Sequence, residues 1–456
     1  MKKLNITFCS FPDFSGNAKA LYEYMVKTYK DNMNYTWVVY DKKTVEKLNS
    51  KGINVVLMDT DEFKKYIPKT NVFFTTQGNL DGDKKKCKNA VYVELWHGIG
   101  PKPVGFAQKN PSKDDINGYG NIGRIVDYFI VPSEFWKTIF GAIFKVEYNR
   151  VKSLGMPILD YFKYSDGKMN LSRILDKDLS IYKKIIMFMP TFKKGFNHND
   201  VSKISKNIFN FTDEYDENDL DDFLIKNNYL LCIKKHPGDK AKLNFNNMKN
   251  ILTITEDILL NNDLSVNEII NAFDLMITDY SSIGTEFVFF EKPILFVTGD
   301  YEEYRFNRGI YFDNLDFWTP GPKCDDIDSL KKEIKKLLTD DNYYKNERIN
   351  SKKLWYGETD DGGCDRICNL LFDSAGQLLD TIERHNSELN YLKDQNTKLS
   401  NKLSNQIIKN NYKIKEMKER IKYLEEKEQE LASIKYSRSY KIIQKIFNFR
   451  KKVQKK

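Results

Sequence analysis

The sequence predicts an α/β protein with two doubly wound parallel sheets facing a common cleft, followed by a long C-terminal coiled-coil helix. Three observations predict it. Short apolar runs of strand length alternate with helical patterns through residues 1–160, and a second such series runs from residue 184 to 297. Two histidines stand at the ends of predicted strands, one in each series. Beyond Leu378 the period changes to heptads, and no Gly or Pro interrupts residues 377–456.

In chain order, residues 4–10 read as a strand and 17–29 as a helix that follows the loop Phe14-Ser15-Gly16-Asn17. Strands are expected at 35–40, 53–58, 71–75, 90–96, 126–131 and 149–154. The second series comprises Lys184–Met189, Tyr229–Ile233, Ile251–Thr253, Leu275–Thr278 and Pro293–Val297. The two sets join near residues 160–180. The expected domains are therefore 1–170 and 171–375, both Rossmann-like, a coiled coil at 376–435 and a basic amphipathic tail at 436–456.

The seam of the coiled coil runs through Leu378, Ile382, His385, Leu389, Leu392, Asn396, Leu399 and Leu403. Two successive steps of four make an eleven-residue stretch from Asn396 to Ile407, a stutter that relaxes the left-handed supercoil. The phase resumes at Asn410, Ile414, Met417, Ile421, Leu424, Glu428 and Leu431. Roughly 55 residues would span on the order of 80 Å. Asn396 in the seam favours a parallel homodimer in register; a helix folded back on the globular part is the alternative. In the tail, Ile442, Ile446, Phe449 and Val453 share a stripe flanked by Lys and Arg, which fits an anionic membrane surface. A solvated charge run or an RNA-binding tail is the competing reading.

Charge supports that division. The net charge is +9, and nine basic residues follow Glu430 with no acidic one among them. The remaining 64 basic residues balance the 64 acidic ones, so nucleic-acid binding by the whole protein is not expected. Six scattered cysteines point to free thiols in a reducing compartment, with no metal-ligand spacing. No apolar run approaches the length of a membrane span, and the two leading lysines run directly into a strand.

Residues 274–311 carry the first chemical signal. The strand Leu275–Thr278 runs into Asp279-Tyr280-Ser281-Ser282, where a helix starts. Free backbone N–H groups at such a start can hold phosphate, and Arg308, placed in a polar loop, is a second clamp. An ordinary capped helix would give the same pattern. Of four histidines, His97 follows the strand ending in Trp96, and His236 follows the strand ending in Lys235. Ligands in open α/β sheets bind at such carboxyl ends, so both point toward one cleft. Pro190-Thr191-Phe192-Lys193 ends another strand at its lip. Imidazoles, cations and a phosphate-holding turn suit transfer of a phosphorylated group. Neither a Gly-x-x-x-x-Gly-Lys-[Ser/Thr] loop nor a Gly-x-Gly-x-x-Gly turn occurs, which argues against a nucleoside triphosphatase or a dinucleotide dehydrogenase.

An ordered set of motifs then resembles the CDP-glycerol:poly(glycerophosphate) glycerophosphotransferases, the teichoic-acid primases and polymerases, over roughly residues 1–370. The set is Ser15-Gly16-Asn17 with Leu21-Tyr22-Glu23-Tyr24, Trp96-His97-Gly98 with Lys102, Pro190-Thr191-Phe192, Lys234-x-His236-Pro237, Thr278-Asp279-Tyr280-Ser281-Ser282, Lys292-Pro293, and Arg308-Gly309 with Pro320-Gly321-Pro322. The resemblance implies a GT-B-like fold and a CDP-glycerol or other CDP-polyol donor, with no tightly bound cofactor or metal. It makes His97 and His236 the catalytic residues, with His97 as base for the acceptor hydroxyl. Thr191, Lys234, Asp279, Ser281, Ser282 and Arg308 would serve the donor, and Ser15, Gly16, Asn17 and Lys102 the acceptor side. Two positions depart from the family's frequent pattern: Lys193 stands where it often has Arg, and Glu286 where it often has Asp. The implied reaction moves glycerol phosphate from the CDP donor to a glycan or lipid-linked acceptor at the cytoplasmic face of the membrane, releasing CMP. A nucleotide-sugar glycosyltransferase of capsule or lipopolysaccharide synthesis, and a coiled-coil scaffold with an inactive α/β part, are the rival expectations.

Overall fold

A computed structural model describes residues 3–29, 33–77, 90–191, 209, 211, 215–234, 245, 247–357, 362–372, 377–436 and 441–445. The chain forms two compact units, Met1–Leu378 and Leu379–Lys456. His236 with Pro237, the segment Phe192–His198, and the tail residues 446–456 lie outside the described residues.

Within the first unit the strands are β1 (Leu4–Cys9), β2 (Met33–Val39), β3 (Val55–Leu57), β4 (Val72–Thr75), β5 (Val91–Glu94), β6 (Tyr128–Val131) and β7 (Val151–Ser153). They form one parallel sheet in the order β3-β2-β1-β4-β5-β6-β7. A second parallel sheet contains β8 (Lys184–Phe188), β9 (Tyr229–Ile233), β10 (Ile251–Thr253), β11 (Leu275–Thr278), β12 (Ile294–Val297) and β13 (Lys323–Cys324), in the order β10-β9-β8-β11-β12-β13. Their central strands are apolar on both faces because helices cover both sides; every residue of β9 and β11 is buried. The order reverses between β1 and β4 in one sheet and between β8 and β11 in the other. Those are the switch points where crevices open at the carboxyl ends.

A single apolar cluster joins the halves. It runs from Trp96, Phe129 and Trp136 beside the first sheet to Met276, Phe287 and Trp318 beside the second, with Trp355 stacked on Trp318 at 5.8 Å. A buried ion pair, Lys19 Nζ to Glu268 Oε1 at 2.5 Å, adds a polar tie. The helix Gly363–Phe372 returns to the first half, where Cys364, Ile367 and Leu371 enter the cluster around Phe8 and Trp37. Asp160 fixes that return by accepting the N–H groups of Gly362, Gly363 and Cys364 at 2.7, 3.0 and 2.8 Å. A carboxylate there satisfies donors that a first helical turn leaves open.

The second unit contains most of one helix, Gln377–Tyr436. Leu399, Leu403, Ile407, Ile414, Met417, Ile421, Leu424 and Leu431 are each at least half exposed on it. No helix among the described residues is long and apolar enough to cross a membrane.

Candidate active site

His97 sits on a turn that its neighbours over-determine. Trp96 occupies the left-handed region at φ +52°, a conformation costly for a bulky residue unless its surroundings enforce it. The enforcement is visible. Glu94 Oε1 accepts the Trp96 N–H at 2.8 Å. Asn17 Nδ2 donates to the Leu95 and Trp96 carbonyls at 3.2 and 2.9 Å, while its Oδ1 accepts the Ile158 N–H at 3.0 Å. The Trp96 ring packs on Phe144 at 4.6 Å and lies 4.2 Å from the imidazole of His97.

The imidazole itself is oriented by one bond. Its Nδ1 lies 2.9 Å from the carbonyl oxygen of Thr76, the residue following β4. A carbonyl only accepts, so Nδ1 carries the proton and Nε2 keeps its lone pair. Protein crowded around the ring pushes its pKa below the usual histidine value; Lys102 pushes the same way and the Thr76 bond opposes both. The ring nevertheless stays reachable by solvent. At neutral pH this is a neutral imidazole whose Nε2 has no partner among the described residues, the form a general base needs.

The glycines after His97 let its loop touch the other half. Gly98 has φ +148°, and a Cβ on it would lie 3.7 Å from Ser282 Cβ. A Cβ on Gly100 would meet the Ser282 backbone at 3.2 Å, tighter than packed atoms ordinarily tolerate. Thr285 Oγ1 donates to the Ile99 carbonyl at 2.6 Å, and the Tyr311 N–H donates to the Pro101 carbonyl at 3.0 Å. The His97 loop is thereby clasped to the strand-to-helix turn after β11.

That turn forms the opposite wall. Asp279 Oδ1 accepts both the N–H and the hydroxyl of Thr191, at 2.8 and 2.7 Å, across the switch point between β8 and β11. Ser281 stands at the cap position of the helix Ser282–Val288, but its side chain makes no capping bond. Ser282 is exposed. A recess here is lined by Pro101 from the first half and by Asp279, Ser281, Thr285 and Trp318 from the second.

Two cations meet at this wall. Arg308 ends the helix Tyr301–Arg308 and so is not in a loop, as its polar surroundings suggest from sequence; Gly309 at φ +77° terminates the helix just after it. Crowding pushes the pKa of Lys102 down, and the nearby Arg308 charge pushes it further in the same direction. Neither cation has a hydrogen bond or ion pair among the described residues. Like charges gathered without an acidic partner are unfavourable until an anion arrives.

The structure thus brings His97, Lys102, Thr191, Asp279, Ser281, Ser282 and Arg308 around one cleft. Asn17 is 1% exposed and holds the His97 turn from behind. Ser15 and Gly16 lie beside it on the loop after β1; the Ser15 hydroxyl donates to the Pro12 carbonyl at 2.6 Å, and Gly16 takes φ +58°. Lys234 is 3% exposed with Nζ 2.8 Å from Glu256 Oε2, a partner that sequence spacing gave no reason to choose. Thr76 carries no signal in the sequence, because a backbone acceptor leaves no residue-type signature. Among the described residues, no cluster of three or more His, Cys, Asp or Glu could hold a metal ion.

Residues 1–373 match the family described as CDP-glycerol:poly(glycerophosphate) glycerophosphotransferase. The chain belongs to this family. It is 27% identical over 380 residues to the teichoic acid glycerol-phosphate primase of Bacillus subtilis (strain 168), a match covering 78% of this chain and 89% of that protein. It is 25% identical over 366 residues to the teichoic acid poly(ribitol-phosphate) polymerase of Bacillus spizizenii, covering 77% of this chain and 52% of the polymerase. Among solved structures, the wall teichoic acid polymerase TagF has a similar fold, with a TM-score of 0.63 at 21% identity over 84% of this chain and 89% of that one. The fold is accordingly GT-B-like, with two parallel-sheet α/β domains.

Proposed function

We propose that this glycerophosphotransferase-family enzyme moves glycerol phosphate, or a related polyol phosphate, from a CDP-activated donor to a hydroxyl of a cell-envelope glycan or teichoic-acid-like polymer. The observation that carries the reading is His97, its Nδ1 proton committed to Thr76, facing Lys102, Arg308 and the Ser281–Ser282 turn across one cleft. The acceptor hydroxyl gives its proton to Nε2 of His97 as its oxygen attacks the polyol-bearing phosphorus. The bond from that phosphorus to the bridging oxygen breaks, and CMP leaves with the bonding electrons. Lys102 and Arg308 stabilise the charge on the departing phosphate, with the Ser281 and Ser282 hydroxyls as donors. Asp279 keeps Thr191 oriented at the donor side. His236 and Lys234 are assigned to the donor on the family pattern alone.

Incubating the full chain with CDP-glycerol or CDP-ribitol and a membrane-derived glycan acceptor tests this. CMP release coupled to polyol phosphate incorporation is expected. A folded protein that releases no CMP with either donor contradicts the proposal.

The exposed seam of the C-terminal helix supports a parallel coiled-coil homodimer, and the basic tail supports attachment to the cytoplasmic face of an anionic membrane. Sedimentation equilibrium of the chain with and without residues 377–456 checks the first, and flotation with phosphatidylglycerol vesicles the second. A monomer in both forms, or equal flotation of both, removes the respective role.

A further inference from the structure

Two exposed rings stand on the same edge of the first sheet as His97. Phe11 follows β1 and is 58% exposed; Tyr40 follows β2 and is 42% exposed. The rings meet edge to face, with centroids 6.4 Å apart and planes at 78°, and so make the floor and wall of a corner. Side chains brace the backbone under both. The two oxygens of Asp13 accept the Tyr40 N–H at 3.0 and 2.9 Å, and one of them accepts the Asp41 N–H at 2.9 Å, which ties the loop after β1 to the end of β2. Ser10 Oγ accepts the Ser15 N–H at 3.1 Å and donates to the Pro12 carbonyl at 2.8 Å. The Cys9 thiol donates weakly to the Tyr40 hydroxyl at 3.8 Å and holds the tip of that ring. Gln77 Nε2 donates to the Phe11 carbonyl at 3.4 Å, one residue past the Thr76 carbonyl that orients His97. The loop already has its inward anchor, since Phe14 packs on Trp37 at 4.8 Å. A braced loop that turns one phenylalanine inward and presents another to solvent is arranged for contact, because an exposed aromatic pair leaves its apolar area unused.

The position of the corner limits what it takes. In strand order β1 stands two places from β5, after which His97 comes, a lateral offset of about 10 Å. That offset suits a unit of the acceptor next to the one that reacts, not the reacting hydroxyl itself. Aromatic faces are electron-rich and attract weakly positive C–H groups, and the flat C–H face of a pyranose matches such a ring. A linear polyol phosphate has no such face, and the Asp13 carboxylate at the base of the corner disfavours a phosphate. We propose that Phe11 and Tyr40 form an acceptor subsite that stacks a pyranose ring beside the unit whose hydroxyl His97 deprotonates. The inference rests on the transferase reading and adds to it that the acceptor carries a sugar ring near its reacting end.

Saturation-transfer NMR on the full chain tests the subsite without turnover. The probes are the methyl β-pyranosides of glucose, mannose, galactose and N-acetylglucosamine, with glycerol 3-phosphate as the ring-free control. The wild type is expected to transfer saturation to the ring C–H protons of at least one pyranoside. Phe11→Ala and Tyr40→Ala should each weaken that binding by roughly 10-fold, and Phe11→Tyr should retain it. Glycerol 3-phosphate binding should change by no more than about twofold in these variants. Should an alanine variant fail to fold, Phe11→Leu keeps apolar bulk without an aromatic face and is read the same way. In the CMP-release assay with the membrane-derived glycan acceptor, the loss in Phe11→Ala should fall on the KM of the acceptor and not on that of CDP-glycerol. No binding of any pyranoside by the wild type, undiminished binding in the folded Ala or Leu variants, or a rise confined to the KM of CDP-glycerol overturns the proposal. Pyranoside binding that the variants lose, without CMP release by the wild type, would instead overturn the transferase reading and leave the sugar subsite standing.

Discussion

The two walls of the cleft are built in opposite ways. On the first-half wall the backbone and the ring of the His97 turn are held in place: Glu94 and Asn17 hold the backbone, and Thr76 holds the ring. On the second-half wall Ser281 makes no side-chain cap, and Arg308 repels Lys102. The difference divides the work. A general base must be placed in advance, because misorientation of the proton acceptor is paid in rate. An anion site can stay unsatisfied, because the substrate's phosphates complete it and convert repulsion into attraction.

The sharpest way to break the contrast is at the base. His97→Asn should lower kcat by roughly 100- to 10,000-fold while leaving the thermal midpoint unchanged, measured by CMP release and calorimetry. A preserved rate would show that the pre-set wall is not catalytic. Next in size is its backing. Asn17→Ala leaves two buried carbonyls and the Ile158 N–H without their partner, and should destabilise the fold by about 3 kcal/mol in urea unfolding, with a fall in kcat. An equal loss of stability with an untouched kcat would separate the turn from the chemistry.

Glu286 offers a smaller effect with a defined pH dependence. Its carboxyl is pushed up to about 7 by burial, above the ordinary carboxylate range, so folding favours the protonated form. At pH 3 both folded and unfolded carboxyls are protonated and burial carries no ionisation penalty. The penalty grows as pH rises toward 7 and is complete above it, at roughly 3 kcal/mol. Glu286→Gln removes it, so the variant should gain stability relative to wild type between pH 5 and 8, read by denaturant midpoints. A pH-independent difference would contradict this. The smallest effect is at the unsatisfied wall: Arg308→Gln should raise KM for the CDP donor by about 10-fold. Stability should hold or rise slightly as the repulsion with Lys102 is relieved. A loss of stability would mean that Arg308 is structural and not waiting for an anion.

The same contrast explains what was legible in the sequence. Parallel strands such as β9 and β11 read cleanly because burial on both faces makes them continuous apolar runs. The two-residue strand β13 carries no period and was invisible. His97, Ser281 and Ser282 declared themselves by standing where strands end. The way they are supported did not: Asn17 stands out in sequence as an acceptor-side motif residue, and only the folded chain brings it to the carbonyls of Leu95 and Trp96. Arg308 reads as a loop residue because its helix is short and half charged, with only Tyr304 buried. Glu286 reads in sequence as a departure from a family pattern, and only the folded chain shows its bond to Asn267 and its approach to Gly98, nearly two hundred residues away. Long-range pairings of this kind leave no local signature.

The most direct test of the central claim is CMP release from CDP-glycerol by the wild type and His97→Asn, followed across pH 5–8 with acceptor in excess. The account predicts turnover by the wild type that falls on the acid side as His97 is protonated, below the ordinary histidine value, and near-complete loss in the variant at every pH. A folded His97→Asn enzyme that retains wild-type turnover and the same acid limb would contradict it.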